Sequence, residues 1–148
     1  MLLKDKVCVI VGAVSLRSIG YATAELFAEH GAKVVVVDVL MSENVLDEIK
    51  SSIEEKVKSP VSVHGLSCDI SKAEDCKQLI QEVLTLHGTV DCLVNSAGIV
   101  RSKPILELSE KSLIKCLIST SKVLFSYVKA YLKSLWKSAQ ELSSMSHP

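Results

Sequence analysis

Two runs of β-branched residues, KVCVIV at 6–11 and KVVVVDV at 33–39, enclose a segment with helical spacing, and this constrains the fold more than any other feature. Valine and isoleucine are stiff at χ1 and suit the pleated surface of a strand. An almost uninterrupted apolar run points to a strand covered on both faces, as in a parallel sheet flanked by helices. Joining two such strands in parallel requires a crossover, and the intervening residues are long enough to supply a helix.

The alternation continues along the chain. The first helix is expected over 19–30, with Ala22, Leu26 and Phe27 turned inward and Gly31 as the stop signal. A second helix, 43–58, has an inner stripe of Val45, Leu46, Ile49 and Ile53, closed by Ser59 and Pro60. VSVHGLSC at 61–68 reads as a third strand. Ser71 and Glu74 then have capping-box spacing, opening a helix that runs to Gly88 with Cys76, Leu79, Ile80, Val83 and Leu84 inside. DCLVN at 91–95 is a fourth strand. Strands alternating with helices imply right-handed βαβ units in an α/β architecture, with helices on both faces of the sheet.

Residues 109–141 read as one long amphipathic helix, followed by a frayed tail. Lys111, Lys115, Lys122, Lys129, Lys133 and Lys137 share one quadrant of it; Leu113, Leu117, Leu124, Val128, Tyr131 and Leu135 lie roughly opposite. We divide the chain into a core, 1–100, and this helix with its tail, 101–148, as parts of one domain. The net charge of zero hides an asymmetry: from Arg101 onward there are eight Lys/Arg against three Glu, leaving nine against fourteen acids before it. The lysine stripe reads as a solvated face beside a surface for homo- or hetero-oligomer contacts. A membrane surface is the lesser reading, and no basic patch with aromatics suggests nucleic acid. Five cysteines with no CxxC pair suit a reducing compartment, cytoplasmic or otherwise intracellular. Lys4, Asp5 and Lys6 interrupt any apolar leader. His30 and His87 each precede a glycine and read as helix C-terminal residues rather than metal ligands.

The turn after the first strand, GAVSLRSIG at 12–20, invites a chemical reading. Glycines let backbone amides approach a pyrophosphate, and the following helix directs its positive end at the charge. Gly12 suits the tight exit from the strand, and Gly20 the close packing at the helix start. Seven residues separate them, more than G-x-G-x-x-G allows. Asp38 ends the second strand 18 residues after Gly20, near the offset of an acid that binds a ribose 2′-hydroxyl. An acid there repels a 2′-phosphate and favours NAD over NADP, a preference that Arg17 would soften.

These features together resemble the short-chain dehydrogenase/reductase family over residues 4–125. The resemblance implies a Rossmann-like sheet of order 3-2-1-4 and a nicotinamide dinucleotide as ligand. The loop is similar to a longer form found in some members, with two residues inserted and Ser18 where a glycine is usual. By this resemblance Gly12, Ser15, Ser18, Ile19 and Gly20 bind cofactor. Cys68, Asp69 and Ile70 are similar to the adenine-contacting element after the third strand, Asp69 accepting from the adenine amino group and Ile70 supporting the ring. LVNSAGI at 93–99 resembles the NNAG element, with Asn95, Ala97 and Gly98 on the ribose side.

The family's chemistry is hydride transfer between a nicotinamide and a carbonyl or alcohol carbon, using a Tyr-x-x-x-Lys pair, a serine and an asparagine. No Tyr-x-x-x-Lys occurs in this chain: Glu25, Tyr131 and Leu135 stand four residues after Tyr21, Tyr127 and Tyr131. Thr120 takes the place of the asparagine, Val11 that of a threonine before the first glycine, and Ser96 that of an asparagine. The resemblance therefore implies an oxidoreductase of the 3-oxoacyl-reductase kind represented by its cofactor half, with no catalytic residues assigned. The alternative is an inactive dinucleotide-binding or assembly module.

Overall fold

The computed structural model describes residues 1–98, 109, 110, 114 and 128. Within them the order is β1 (Val7–Val11), α1 (Ile19–Glu29), β2 (Lys33–Asp38), α2 (Glu43–Val57), β3 (Val63–Ser67), α3 (Ala73–His87) and β4 (Cys92–Asn95). The four strands form one parallel sheet in the order β3-β2-β1-β4. The expected helix 109–141 lies almost wholly outside the described residues; of those described, Glu110, Ile114 and Val128 are helical and exposed.

The period of two in a strand sorts the core into two layers. Cys8 and Ile10 of β1, with Val34 and Val36 of β2, face a cluster that includes Tyr21, Ala24 and Ala28 of α1 and Ile49 and Ile53 of α2. Val7, Val9 and Val11, with Val35 and Val37, face Cys76, Leu79 and Val83 of α3. Every residue of β1 is buried, as are Val34 to Val37 of β2. That two-sided cover is the reason those strands read as continuous apolar runs.

Three local expectations are corrected. In α1 the buried residues are Gly20, Tyr21, Ala24 and Ala28, whereas Ala22 is exposed and Leu26 is 50% exposed. Small residues let the helix approach the sheet closely, and Tyr21 reaches across to α2, where its hydroxyl shares a 2.7 Å hydrogen bond with Ser52. The capping box at Ser71 does not form. Instead Lys72 is the N-cap of α3 and makes no side-chain cap bond, because Ser71 is engaged by Asp69: its amide donates to Asp69 Oδ1 at 2.9 Å, and its hydroxyl also bonds that carboxylate. Finally, the third strand is shorter than 61–68, running only over Val63–Ser67.

Candidate functional site

In a parallel sheet the strands' C-terminal ends share one edge, and the strand order reverses direction between β1 and β4. A crevice opens at that point. Gly12 follows β1 with φ of +87°, a conformation that L side chains rarely adopt. A β-carbon there would sit 2.6 Å from both the Cα and the N of Ala97, which follows β4. Gly20 is closed off in a different way: a β-carbon on it would run into the Gly12 carbonyl. The two glycines thus nest the start of α1 against the exit of β1. The Gly12 amide donates to Val37 O at 2.7 Å and the Ser96 amide to Val11 O at 2.9 Å, so neighbouring strand ends stay in register.

Ser18, standing where the family pattern has glycine, is the N-cap of α1. Its hydroxyl accepts from the Tyr21 amide at 3.0 Å, and its carbonyl accepts from Ala22. This arrangement leaves the first-turn amides of Ile19 and Gly20 without intrahelical acceptors, at the positive end of the helix. Ser15 holds the loop closed, its carbonyl accepting from the Ser18 amide at 2.8 Å.

Across the strand ends lies a cavity of about 430 Å³ lined by Val11, Gly12, Asp38, Val39, Cys68, Asp69, Ile70, Ser71, Ser96, Ala97 and Gly98. Six of the residues singled out from the sequence meet here: Gly12, Asp38, Asp69, Ile70, Ala97 and Gly98. Ser15, Ser18, Ile19 and Gly20 belong to the adjoining loop and helix start rather than to the cavity wall, and Ile19 is 80% exposed. Asn95 is the last residue of β4, paired in register with Val11 and half-buried, one residue short of the wall. Sequence reasoning placed Cys68 in the adenine element without giving it a role, and missed Val11, Val39, Ser71 and Ser96 as lining residues. Each is the immediate neighbour of a residue it did find, which is the signal that was available.

Among the described residues, two carboxylates and no cationic side chain line the cavity. Asp38 Oδ1 accepts from the Leu40 amide at 3.1 Å, and its carbonyl accepts from Cys68 N at 3.2 Å, linking the β2 and β3 exits. The Ser71 hydroxyl and amide hold the Asp69 carboxyl below the usual range; Lys72, with Nζ 3.6 Å from Asp69 Oδ2, adds to this. Burial, followed by the neighbouring Cys76 thiol, pushes Cys68 up to about 12, so it stays a neutral thiol in the wall. Among the described residues no cluster of three or more His, Cys, Asp or Glu could hold a metal ion, and no helix is long and apolar enough to cross a membrane.

The short chain dehydrogenase family model matches residues 6–141. The chain belongs to the short-chain dehydrogenase family. Among curated relatives, an uncharacterized short-chain type dehydrogenase/reductase from Sinorhizobium fredii is 40% identical over 111 residues, which are 74% of this chain and 42% of the relative. A 3-oxoacyl-acyl-carrier-protein reductase from Thermotoga maritima is 34% identical over 111 residues, 75% of this chain and 42% of the relative. The match thus spans less than half the length of either. Among solved structures, L-sorbose reductase from Gluconobacter frateurii, in complex with NADPH and L-sorbose, superposes with a TM-score of 0.69 at 29% identity, covering 85% of this chain and 47% of that one. The Rossmann-like sheet of order 3-2-1-4 expected of a short-chain dehydrogenase is the one observed.

Proposed function

We propose that this chain binds NAD across the ends of β1, β2, β3 and β4, as the cofactor half of a short-chain oxidoreductase. The observation that carries the reading is the cradle at Gly12. A positive φ and the approach of Ala97 leave no room for a side chain there, and the open first turn of α1 lies beside it. In this reading the amides of Ile19 and Gly20 and the loop residues Ser15 and Ser18 face the pyrophosphate. Asp38 accepts from the adenosine ribose hydroxyls, and Asp69 and Ile70 hold the adenine. Asn95, Ala97 and Gly98 flank the other ribose.

The charge of the cavity supports NAD over NADP. A 2′-phosphate would enter beside Asp38, in a wall whose described residues include no lysine or arginine to neutralise it. The family uses nicotinamide dinucleotides, and NADPH occupies the sorbose reductase; the preference for the unphosphorylated form is this chain's own, set by Asp38. Reduction of a 3-oxoacyl or other small carbonyl compound is the corresponding chemistry, in keeping with the Thermotoga relative. The 148 residues contain no Tyr-x-x-x-Lys acid/base pair, so this chain binds the dinucleotide without transferring hydride.

Titrating the protein with NADH, read by nicotinamide fluorescence, tests the reading. Saturable binding with weaker competition by NADP than by NAD is expected, together with no substrate-dependent change in NADH absorbance. A flat titration on folded protein overturns the binding reading, and turnover of a carbonyl substrate overturns the inactivity.

A further inference from the structure

The residues between β2 and α2 form a tight turn whose anchoring is uneven. The Met41 amide donates to the Asp38 carbonyl at 3.3 Å, and the Leu40 amide to the Asp38 carboxylate at 3.1 Å. These bonds give the turn its shape but do not fix it to the rest of the fold. Val39 and Leu40 are 59% and 70% exposed. Met41 alone of the three turns inward and packs on the core cluster shared with α1 and α2.

The space it enters is made by a glycine. Gly65 stands in the middle of β3, opposite Val36 in the sheet, where glycine weakens a strand and marks a close approach. A β-carbon on Gly65 would lie 2.8 Å from Met41 Sδ and 3.2 Å from its Cγ, and 3.1 Å from Leu46 Cδ1 of α2. The thioether therefore fills the place of the missing side chain. An unbranched, polarizable chain suits such an irregular gap.

We propose that Met41, seated on the bare backbone of Gly65, is a positioning residue that holds the Asp38 turn at the cavity wall and so sets the discrimination between NADH and NADPH. The inference rests on the dinucleotide reading above and deepens it. Asp38 bars a 2′-phosphate only while its carboxylate is held at the edge of the cavity. Its backbone is tied to β3 through the Cys68 amide, but the turn beyond it has Met41 as its inward anchor. Freed from the notch, the turn relaxes outward: the carboxylate loses its grip on the ribose hydroxyls and no longer opposes the phosphate. A methionine that merely fills core volume would contribute stability and leave discrimination untouched.

The test titrates NADH and NADPH fluorescence on the wild-type protein and on the variants Met41→Ala, Met41→Leu and Gly65→Val, with denaturant unfolding of the same samples. Emptying the notch in Met41→Ala is expected to lower the NADH-to-NADPH affinity ratio by about tenfold, since small misplacements of a binding group cost one to two orders of magnitude. Met41→Leu, which refills the notch, should keep the ratio within about twofold on the same argument. Gly65→Val expels the sulfur and should behave like Met41→Ala; should it fail to fold, Met41→Ala, which only removes atoms, decides. A Met41→Ala protein that loses stability at an unchanged ratio overturns this inference alone. Wild-type protein that binds neither nucleotide overturns the dinucleotide reading and this inference with it.

Discussion

Gly12 and Ala97 meet backbone to backbone where β1 and β4 leave the sheet, with room for a hydrogen on Gly12 and for nothing larger. The contact sits at the reversal of strand order, where the loop before α1 adjoins the cavity. Gly12→Ala puts a methyl into the Ala97 backbone and forces an L residue to a φ of +87°. Neither atom set can swing aside as a side-chain tip would. The variant should lose about 2–4 kcal/mol of stability, combining strain at positive φ with overpacking, and NADH binding should fall below detection even where the protein stays folded. Urea unfolding and fluorescence titration on the same sample check both; near-wild-type binding would show that the cradle is not the site.

In the proposed reading Asp38 both shapes its turn and meets the ribose, and an amide separates the two. Asparagine retains an oxygen to accept from the Leu40 amide, so Asp38→Asn keeps the turn but removes the charge. NADH binding should weaken, because a neutral amide accepts less strongly from ribose hydroxyls. NADPH binding should strengthen, by about tenfold at low salt, as the repulsion of the 2′-phosphate disappears. Competition titrations at two ionic strengths measure this. An NADP affinity that does not move would mean that the 2′ position lies elsewhere.

How far all this was legible in the sequence depends on what each residue had to reveal. The strands were plain because Val34 to Val37 are buried on both sides and could be nothing but apolar. The inner face of α1 was misread because Leu26 carries more hydrophobicity than Ala24 or Ala28, yet close approach to the sheet favours the smaller residues. At Ser71 the residue pair had the right spacing for a cap, but Asp69, two positions earlier, competes for the same serine. Spacing along one helix cannot show a rival acceptor in the loop before it. At the cavity, residues whose type suggests chemistry, such as the carboxylates Asp38 and Asp69, were visible. Those that line the cavity by position, Val39 and Ser96 among them, were not, since nothing in their type distinguishes them. Met41 and Gly65 lie 24 positions apart, and only the parallel pairing of β2 with β3 brings them together.

Asp91 fastens the entry of β4 to the entry of β1. Its Oδ2 accepts from the Val7 amide and its Oδ1 from Lys6 Nζ, both at 2.9 Å. The amide first, and the lysine second, hold the Asp91 carboxyl below its usual range. Asp91→Ala orphans a part-buried backbone donor and should cost about 1.5–3 kcal/mol, the range for a hydrogen bond to a charged group. Lys6→Met, which removes only the exposed partner of the pair, should cost well under 1 kcal/mol. Denaturant midpoints of the two variants give the comparison, and equal losses would mean that the ion pair rather than the amide bond matters.

His87 gives the fold a pH dependence of known sign. Its ring meets His64 of β3 edge-on, with centroids 4.9 Å apart, and its Nε2 is buried without a hydrogen-bond partner among the described residues. Burial first, then the charges of His64 and Lys33, hold the imidazole below its ordinary value of 6.5. The unfolded chain therefore takes up a proton at a higher pH than the folded one, and between the two values it binds more protons. Stability then rises with pH. The contribution is complete above about pH 6.5 and is lost as the pH falls through that value toward the lower folded one. His87→Gln removes the titrating group. The variant should show a flatter dependence of unfolding free energy between about pH 5 and 7 than the wild type. Urea titrations at half-unit intervals resolve this slope, and identical slopes in the two proteins would assign the pH dependence to some other group.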